Sequence, residues 1–364
     1  MPNFSASGLF YRGATWCLLG AAPLLGLALE TAPIRLTLNE NPFGPSAKVV
    51  PALQADLGDL FRYTDDTATA LIAQIAEKEG VSPEQIVLGE LLEPLGLVLS
   101  QQSGPGGEFI YSVPGYPALV DAAARVGGVV ISVPLDANLE NDLPTIEAKV
   151  NAHTRAVFLV NPHNPSGTVS ETRAFLEFAR RVSKQALVIV DEAYLEFSDD
   201  YAGRTAATLT QEGENVLVYR TFAKAYGLAA LPLGYAVAPK GVADLLRKQG
   251  LGSVRDVNRL AATAASVTLS DDDYLPRVHA AVSSERTKWH AVLDELGLKH
   301  TPSQANFVYF ESPRPHAEVV EKLRAEGVWV GRAFAPYSNW VRITIGLPEE
   351  NLRAQHALRE ALRR

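Results

Sequence analysis

Short apolar runs alternate with longer amphipathic stretches through the middle of this chain. The runs, rich in β-branched residues, fall at 86–88, 109–113, 129–133, 156–160, 187–190, 216–219 and 234–237. Between them, apolar positions three and four apart predict helices at 91–101, 116–126, 143–150 and 173–183. Strand side chains alternate between two faces, so a continuously apolar run marks a strand covered on both sides. Such strands alternating with helices predict an α/β fold with a mainly parallel sheet.

The last third changes character. A long helical pattern covers 274–296, strands are predicted at 306–310, 328–330 and 341–345, and helices at 315–326 and 349–362. That is an α+β arrangement. A Gly/Ser-rich break at 250–253, after a predicted helix at 242–248, marks the boundary. The expected organisation is an N-terminal arm (1–35), a short part of the small domain (36–48), a large domain (49–250) and a small C-terminal domain (251–364). A chain of 364 residues exceeds one ordinary core, which agrees with two domains.

Composition narrows the classes. Apolar residues make up 47% and charged residues 20%, a globular balance. The net charge of −8 argues against a nucleic-acid partner, which needs a basic face. Cys17 is the single cysteine, which leaves no internal disulfide and no cysteine-based zinc site. The seven histidines show no metal-ligand spacing. The apolar run 16–29, broken by Pro23, fits either the arm of a cytoplasmic protein or a degenerate export signal. It is short for a membrane span, and no other segment has transmembrane character.

Four motifs carry candidate chemistry. In Arg220-Thr221-Phe222-Ala223-Lys224-Ala225-Tyr226-Gly227, Lys224 follows a predicted strand and emerges at a sheet edge, where α/β proteins bind ligands. A lone lysine there is ordinarily just solvated. Val190-Asp191-Glu192-Ala193-Tyr194 ends another strand in an acid, a position that also serves helix capping. Asn161-Pro162-His163-Asn164-Pro165-Ser166-Gly167 is turn-forming by composition. Trp340-Val341-Arg342-Ile343-Thr344 places an arginine within a strand, and its planar fork suits a carboxylate.

In their chain order, Asn164, Asp191, Tyr194, Lys224 and Arg342, the motifs resemble the fold-type I pyridoxal-phosphate-dependent aminotransferases (class I/II), most closely the histidinol-phosphate aminotransferase branch, from about Leu36 to the C-terminus. The resemblance implies a large domain with a mainly parallel seven-stranded sheet and a small α+β domain. It implies pyridoxal phosphate held as a Schiff base by Lys224, which also shuttles the substrate proton. By the same resemblance Asp191 keeps the ring nitrogen protonated, and Tyr194 and Asn164 bond the phenolic oxygen. Tyr116 stacks on the ring, or is an ordinary aromatic at a helix start. The resemblance brings Tyr63 from the partner subunit of a homodimer to the phosphate, which is either held with it by Thr221 and the helix-end amides at Glu90 and Leu91 or no longer needed by the pocket. Arg342 takes the substrate carboxylate and Asn41 lies near the substrate. Arg332 lies near the substrate side chain, or is an exposed strand-end arginine. The implied activity moves an amino group between an amino acid, or a similar amine, and a 2-oxo acid. A decarboxylase on the same scaffold and a non-catalytic binding protein are the alternatives.

The chain departs from the family at the phosphate cup. A small polar loop is replaced by Gly89-Glu90-Leu91-Leu92-Glu93, a serine by Ala223 and an arginine by Pro232. Proline offers no donor, so a weakened phosphate grip is expected unless Arg220 or a partner side chain substitutes.

Overall fold

The structure, a computed structural model, describes residues 32–102 and 106–363. Residues 1–31 of the expected arm, with the apolar run, lie outside them. The strands are β1 (Ile34–Leu36), β2 (Ile86–Leu88), β3 (Glu108–Val113), β4 (Val129–Pro134), β5 (Thr154–Val160), β6 (Leu187–Asp191), β7 (Val216–Thr221), β8 (Gly234–Val237), β9 (Phe307–Glu311), β10 (Val328–Val330) and β11 (Trp340–Thr344). The large sheet has seven strands in the order β2-β8-β7-β6-β5-β3-β4. β4, β3, β5, β6 and β7 are parallel, and β8 runs antiparallel to both β7 and β2.

Strand alternation explains why the middle of this sheet is apolar throughout. In β6, Val188 and Val190 join one core layer while Leu187 and Ile189 join the other. Val216 and Val218 against Leu217 and Tyr219 repeat the division in β7. Each fully buried aliphatic side chain contributes roughly 1.5–3 kcal/mol, so the two-sided cover fixes the register of these central strands. On the second layer, the helices Leu92–Gln101 and Ala118–Arg125 cross closely. A Cβ at Gly96 would lie 2.1 Å from the Leu119 carbonyl oxygen, so the crossing requires glycine.

The remaining strands form two small sheets. β1 pairs parallel with β10, and β9 pairs antiparallel with β11, placing Arg342 opposite Tyr309. Residues 34–35, expected in the arm, are therefore strand: burial of Ile34 and Leu36 draws them into a sheet with the C-terminal part. The helix Tyr274–Glu295 is tied to the C-terminal helix Pro348–Leu362 through Asn351, which accepts from Trp289 Nε1 at 3.0 Å and donates to Glu285 at 2.8 Å. The contacts of Pro33–Arg364 form one compact unit holding all three sheets. Among the described residues no helix is long and apolar enough to cross a membrane.

Candidate active site

The parallel run of β5, β6 and β7 brings three carboxyl ends side by side. Val160 pairs with Asp191, and Asp191 with Tyr219. Beyond β7 the chain turns sharply, and Gly227 donates to the Lys224 carbonyl at 2.9 Å. Gly227 has φ +70°, and a Cβ there would meet the Gly44 backbone at 2.7 Å. Only glycine lets the lysine turn pack on the 41–44 turn. Asn41 fastens the same junction, donating to the Ala225 carbonyl at 2.8 Å and to the Tyr274 hydroxyl at 3.1 Å.

These elements enclose a cavity of about 650 Å³ lined by Lys224, Asp191, Tyr194, Asn164, Tyr116, Thr221, Glu90, Arg332 and Arg342, among others. Lys224 Nζ donates to the Leu38 carbonyl at 2.9 Å and stands 5.9 Å from the Tyr194 ring centre. Burial, with the nearby Arg342 cation, holds its pKa below the usual lysine range, which favours the neutral, nucleophilic amine. Asp191 is 3% exposed and accepts from the Ala193 amide at 3.0 Å. Burial raises its carboxyl to about 7, so it is poised for a cationic partner.

The opposite wall is a chain of polar contacts. Tyr194 Oη accepts from Asn39 at 3.1 Å and from Asn164 at 3.4 Å, which leaves its own proton free to be donated. Arg342 donates to Asn164 Oδ1 at 2.5 Å and to the Thr37 carbonyl at 2.8 Å. Its guanidinium lies 5.4 Å from the Phe307 ring centre and 5.1 Å from that of Phe334. Among the described residues nothing accepts from its buried Nε. A desolvated cation with a spare donor is built to receive an anion. Arg332 lines the same wall, stacked on Phe334 at 4.4 Å.

Several expectations need correction. Asn41 is not among the lining residues; its amide is used between backbone turns, and Asn39 faces the site instead. Asn39 was missed, although its φ of 56° is a conformation that asparagine tolerates better than most residues. Leu91 turns its side chain into the core and stands directly before the helix Leu92–Gln101, so only its backbone amide could serve a phosphate. Tyr63, expected to serve a partner subunit's site, is 78% exposed and outside this chain's own cavity, which leaves that expectation standing. Arg220 cannot substitute as a phosphate donor. It is fully buried away from the cavity and bonds Glu192 at 2.9 Å and Thr205 at 2.7 Å. Pro232 is exposed and does not line the cavity.

The residues can be tested against pyridoxal phosphate by its covalent layout. The ring nitrogen lies across from the aldehyde, and the phenolic oxygen and phosphate arm flank the aldehyde on opposite sides. Asp191, Lys224 and the Tyr194–Asn164 pair suit the first three, with Tyr116 on the cavity wall for the ring face. The phosphate falls to the wall with Thr221, Ala223 and Glu90. There Thr221 Oγ1 accepts from the Ala223 amide at 3.1 Å, and Tyr219 donates to Glu90 at 3.3 Å. The ring end fits well, while the phosphate end offers hydroxyls and a carboxylate.

An amine and a buried carboxylate at the carboxyl edge of a parallel sheet, facing an arginine, define a pyridoxal-phosphate-dependent enzyme of the α/β kind. The chain belongs to the aminotransferase class I and II family, whose model matches residues 31–357. It is 37% identical to a histidinol-phosphate aminotransferase of Limosilactobacillus fermentum, over 89% of each chain. Histidinol-phosphate aminotransferase 2 of Pseudomonas fluorescens is also 37% identical, with 93% of this chain and 91% of that one covered. Among solved structures, the histidinol-phosphate aminotransferase of Sinorhizobium meliloti in complex with pyridoxal-5'-phosphate superposes with a TM-score of 0.82 at 28% identity, covering 90% of each chain. An L-threonine-O-3-phosphate decarboxylase of Porphyromonas gingivalis, with a TM-score of 0.76 over 90% of this chain and 98% of that one, shares the fold at 19% identity. The protein is a pyridoxal-phosphate-dependent aminotransferase.

Proposed function

We propose that this cavity is the active site, and that it exchanges an amino group between an amino acid, or a similar amine, and a 2-oxo acid. The observation that carries the proposal is that Lys224, Asp191 and Arg342 line one cavity. When bound, pyridoxal phosphate supplies a sink for the electron pair left on the substrate's α-carbon. Arg342 binds the substrate carboxylate, and Phe307 and Phe334 hold its guanidinium in a water-poor setting. Lys224 Nζ, held below the usual lysine range and so readily neutral, would take the proton from the substrate's α-carbon and deliver it to the former aldehyde carbon of the cofactor. Asp191, oriented by the Ala193 amide, would hold a proton at the pyridine nitrogen, and Tyr194, whose own proton is free, would donate to the phenolic oxygen.

The relatives at 37% identity are named histidinol-phosphate aminotransferases, which supports histidinol phosphate as the first amine to try. Arg332 beside Arg342 gives the cavity a second cation for an anionic substrate group. The test is an amine panel with a 2-oxo acid acceptor. Amino transfer from at least one anionic amine is expected. Release of carbon dioxide without amino transfer would contradict the proposal.

A homodimer is part of it. Leu57, Leu60, Phe61 and Tyr63 are 51%, 57%, 73% and 78% exposed, an apolar stretch that a second copy of the chain would cover. Tyr63 then serves the partner's phosphate site. A cytoplasmic location is also proposed, and sequencing the N-terminus of the natural protein checks it, since cleavage within 1–30 would indicate export.

A further inference from the structure

Glu90 stands where the cofactor would need a donor. It follows β2, before the helix Leu92–Gln101, and its carboxylate lines the cavity and accepts from Tyr219 Oη at 3.3 Å. Thr221 and Tyr219 of β7, Lys224 beyond it, Asp191 of β6 and Tyr116 share the cavity with it. Glu93, on that helix, also lines the cavity and pairs with Arg125 at 3.1 Å. Both lining arginines stack on Phe334, and Arg342 is bonded to Asn164, on the side of the phenolic oxygen. Lys224, whose amine is the group for the aldehyde, is thus the cation left near Glu90 among the described lining residues.

A phosphate monoester is mostly a dianion above its second pKa of about 6. An ionised carboxylate facing it repels it, whereas the neutral acid donates a strong hydrogen bond. Resting on the cofactor placement above, we propose that Glu90 takes up a proton from solvent when the phosphate binds, and so determines how well this site distinguishes pyridoxal phosphate from unphosphorylated pyridoxal. One proton is consumed per phosphate bound, and the resulting acid donates to a phosphate oxygen. Partial withdrawal from solvent already raises the Glu90 pKa, against the opposing pull of the Tyr219 hydroxyl and Lys224.

The experiment titrates cofactor-free protein with pyridoxal phosphate and, separately, with pyridoxal, followed by visible absorbance between about pH 7 and 9, where the phosphate stays a dianion. The ratio of the two affinities cancels the titrations of Lys224 and Asp191, which both compounds share. In the wild type the phosphate's advantage falls by up to about tenfold per pH unit, as uptake of one proton requires. In Glu90→Gln, and equally in Glu90→Ala, the ratio is flat, and at the high-pH end the phosphate's advantage exceeds that of the wild type. The same slope in wild type and both variants overturns the proposal. Binding of neither compound by the wild type overturns the cofactor placement and this proposal with it.

Discussion

Asp191 has little exposure, no cationic side chain bonded to it among the described residues, and a neighbour, Glu192, of the same charge. Its folded-state pKa of about 7 lies above the ordinary 3.8, so between these values the folded protein binds more protons than the unfolded chain. Stability of the cofactor-free protein therefore falls as pH rises through that window, and the penalty is complete above about 7. Asp191→Asn removes the titration. Its melting temperature should gain on the wild type from pH 4 to 7 and then hold a constant offset, whereas parallel curves would mean that the carboxyl is not desolvated. Lys224, Asp191 and Arg342 were singled out in the sequence by the motifs around them, since each belongs to a strand or to the turn just after one, and the structure places all three on one cavity. Asn39 was not. Two asparagines stand two residues apart, and which one faces the cavity depends on backbone dihedrals that the letters do not show.

At the scale of elements, the ends of β6 and β7 are joined by a buried ion pair. Arg220 reaches Glu192 at 2.9 Å and Glu79 at 3.3 Å, and also donates to Tyr201. Arg220→Ala leaves the buried Glu192 without its cation, while Glu79 keeps Lys78 at 3.2 Å, and should cost on the order of 3–5 kcal/mol in urea unfolding. A loss under about 1 kcal/mol would show that the network is dispensable. Glu79 ends the helix Asp65–Glu79, which hydrophobic patterning left unassigned. The stripe is there in Ala68, Leu71, Ile75 and Glu79, but its buried members include a small residue and an acid that a hydrophobic count passes over. The helix Arg259–Leu269 escaped for a related reason, because it buries alanines and a threonine. The sheet strands were legible because two-sided burial leaves an unbroken apolar run.

At the scale of the whole molecule, the exposed apolar stretch around Phe61 and Tyr63 predicts self-association. Phe61→Asp should shift the protein from dimer to monomer in sedimentation and lower pyridoxal-phosphate affinity together, since Tyr63 would leave the partner's site. A wild-type monomer that retains full activity on dilution would contradict this. Nothing in the hydrophobic pattern revealed the stretch, because a loop carrying three or four apolar residues looks the same whether solvent or a second chain covers it. The central claim is that Lys224 is the group that holds the cofactor and moves the proton. The most direct test incubates the protein with pyridoxal phosphate, reduces it with borohydride and locates the added mass by peptide sequencing, with Lys224→Ala alongside. The account predicts that the label sits on Lys224 alone, and that the variant takes no label there and loses turnover by at least about 10²–10⁴-fold, the usual contribution of a positioned acid–base group. A label on another lysine, with Lys224→Ala fully active, would contradict it.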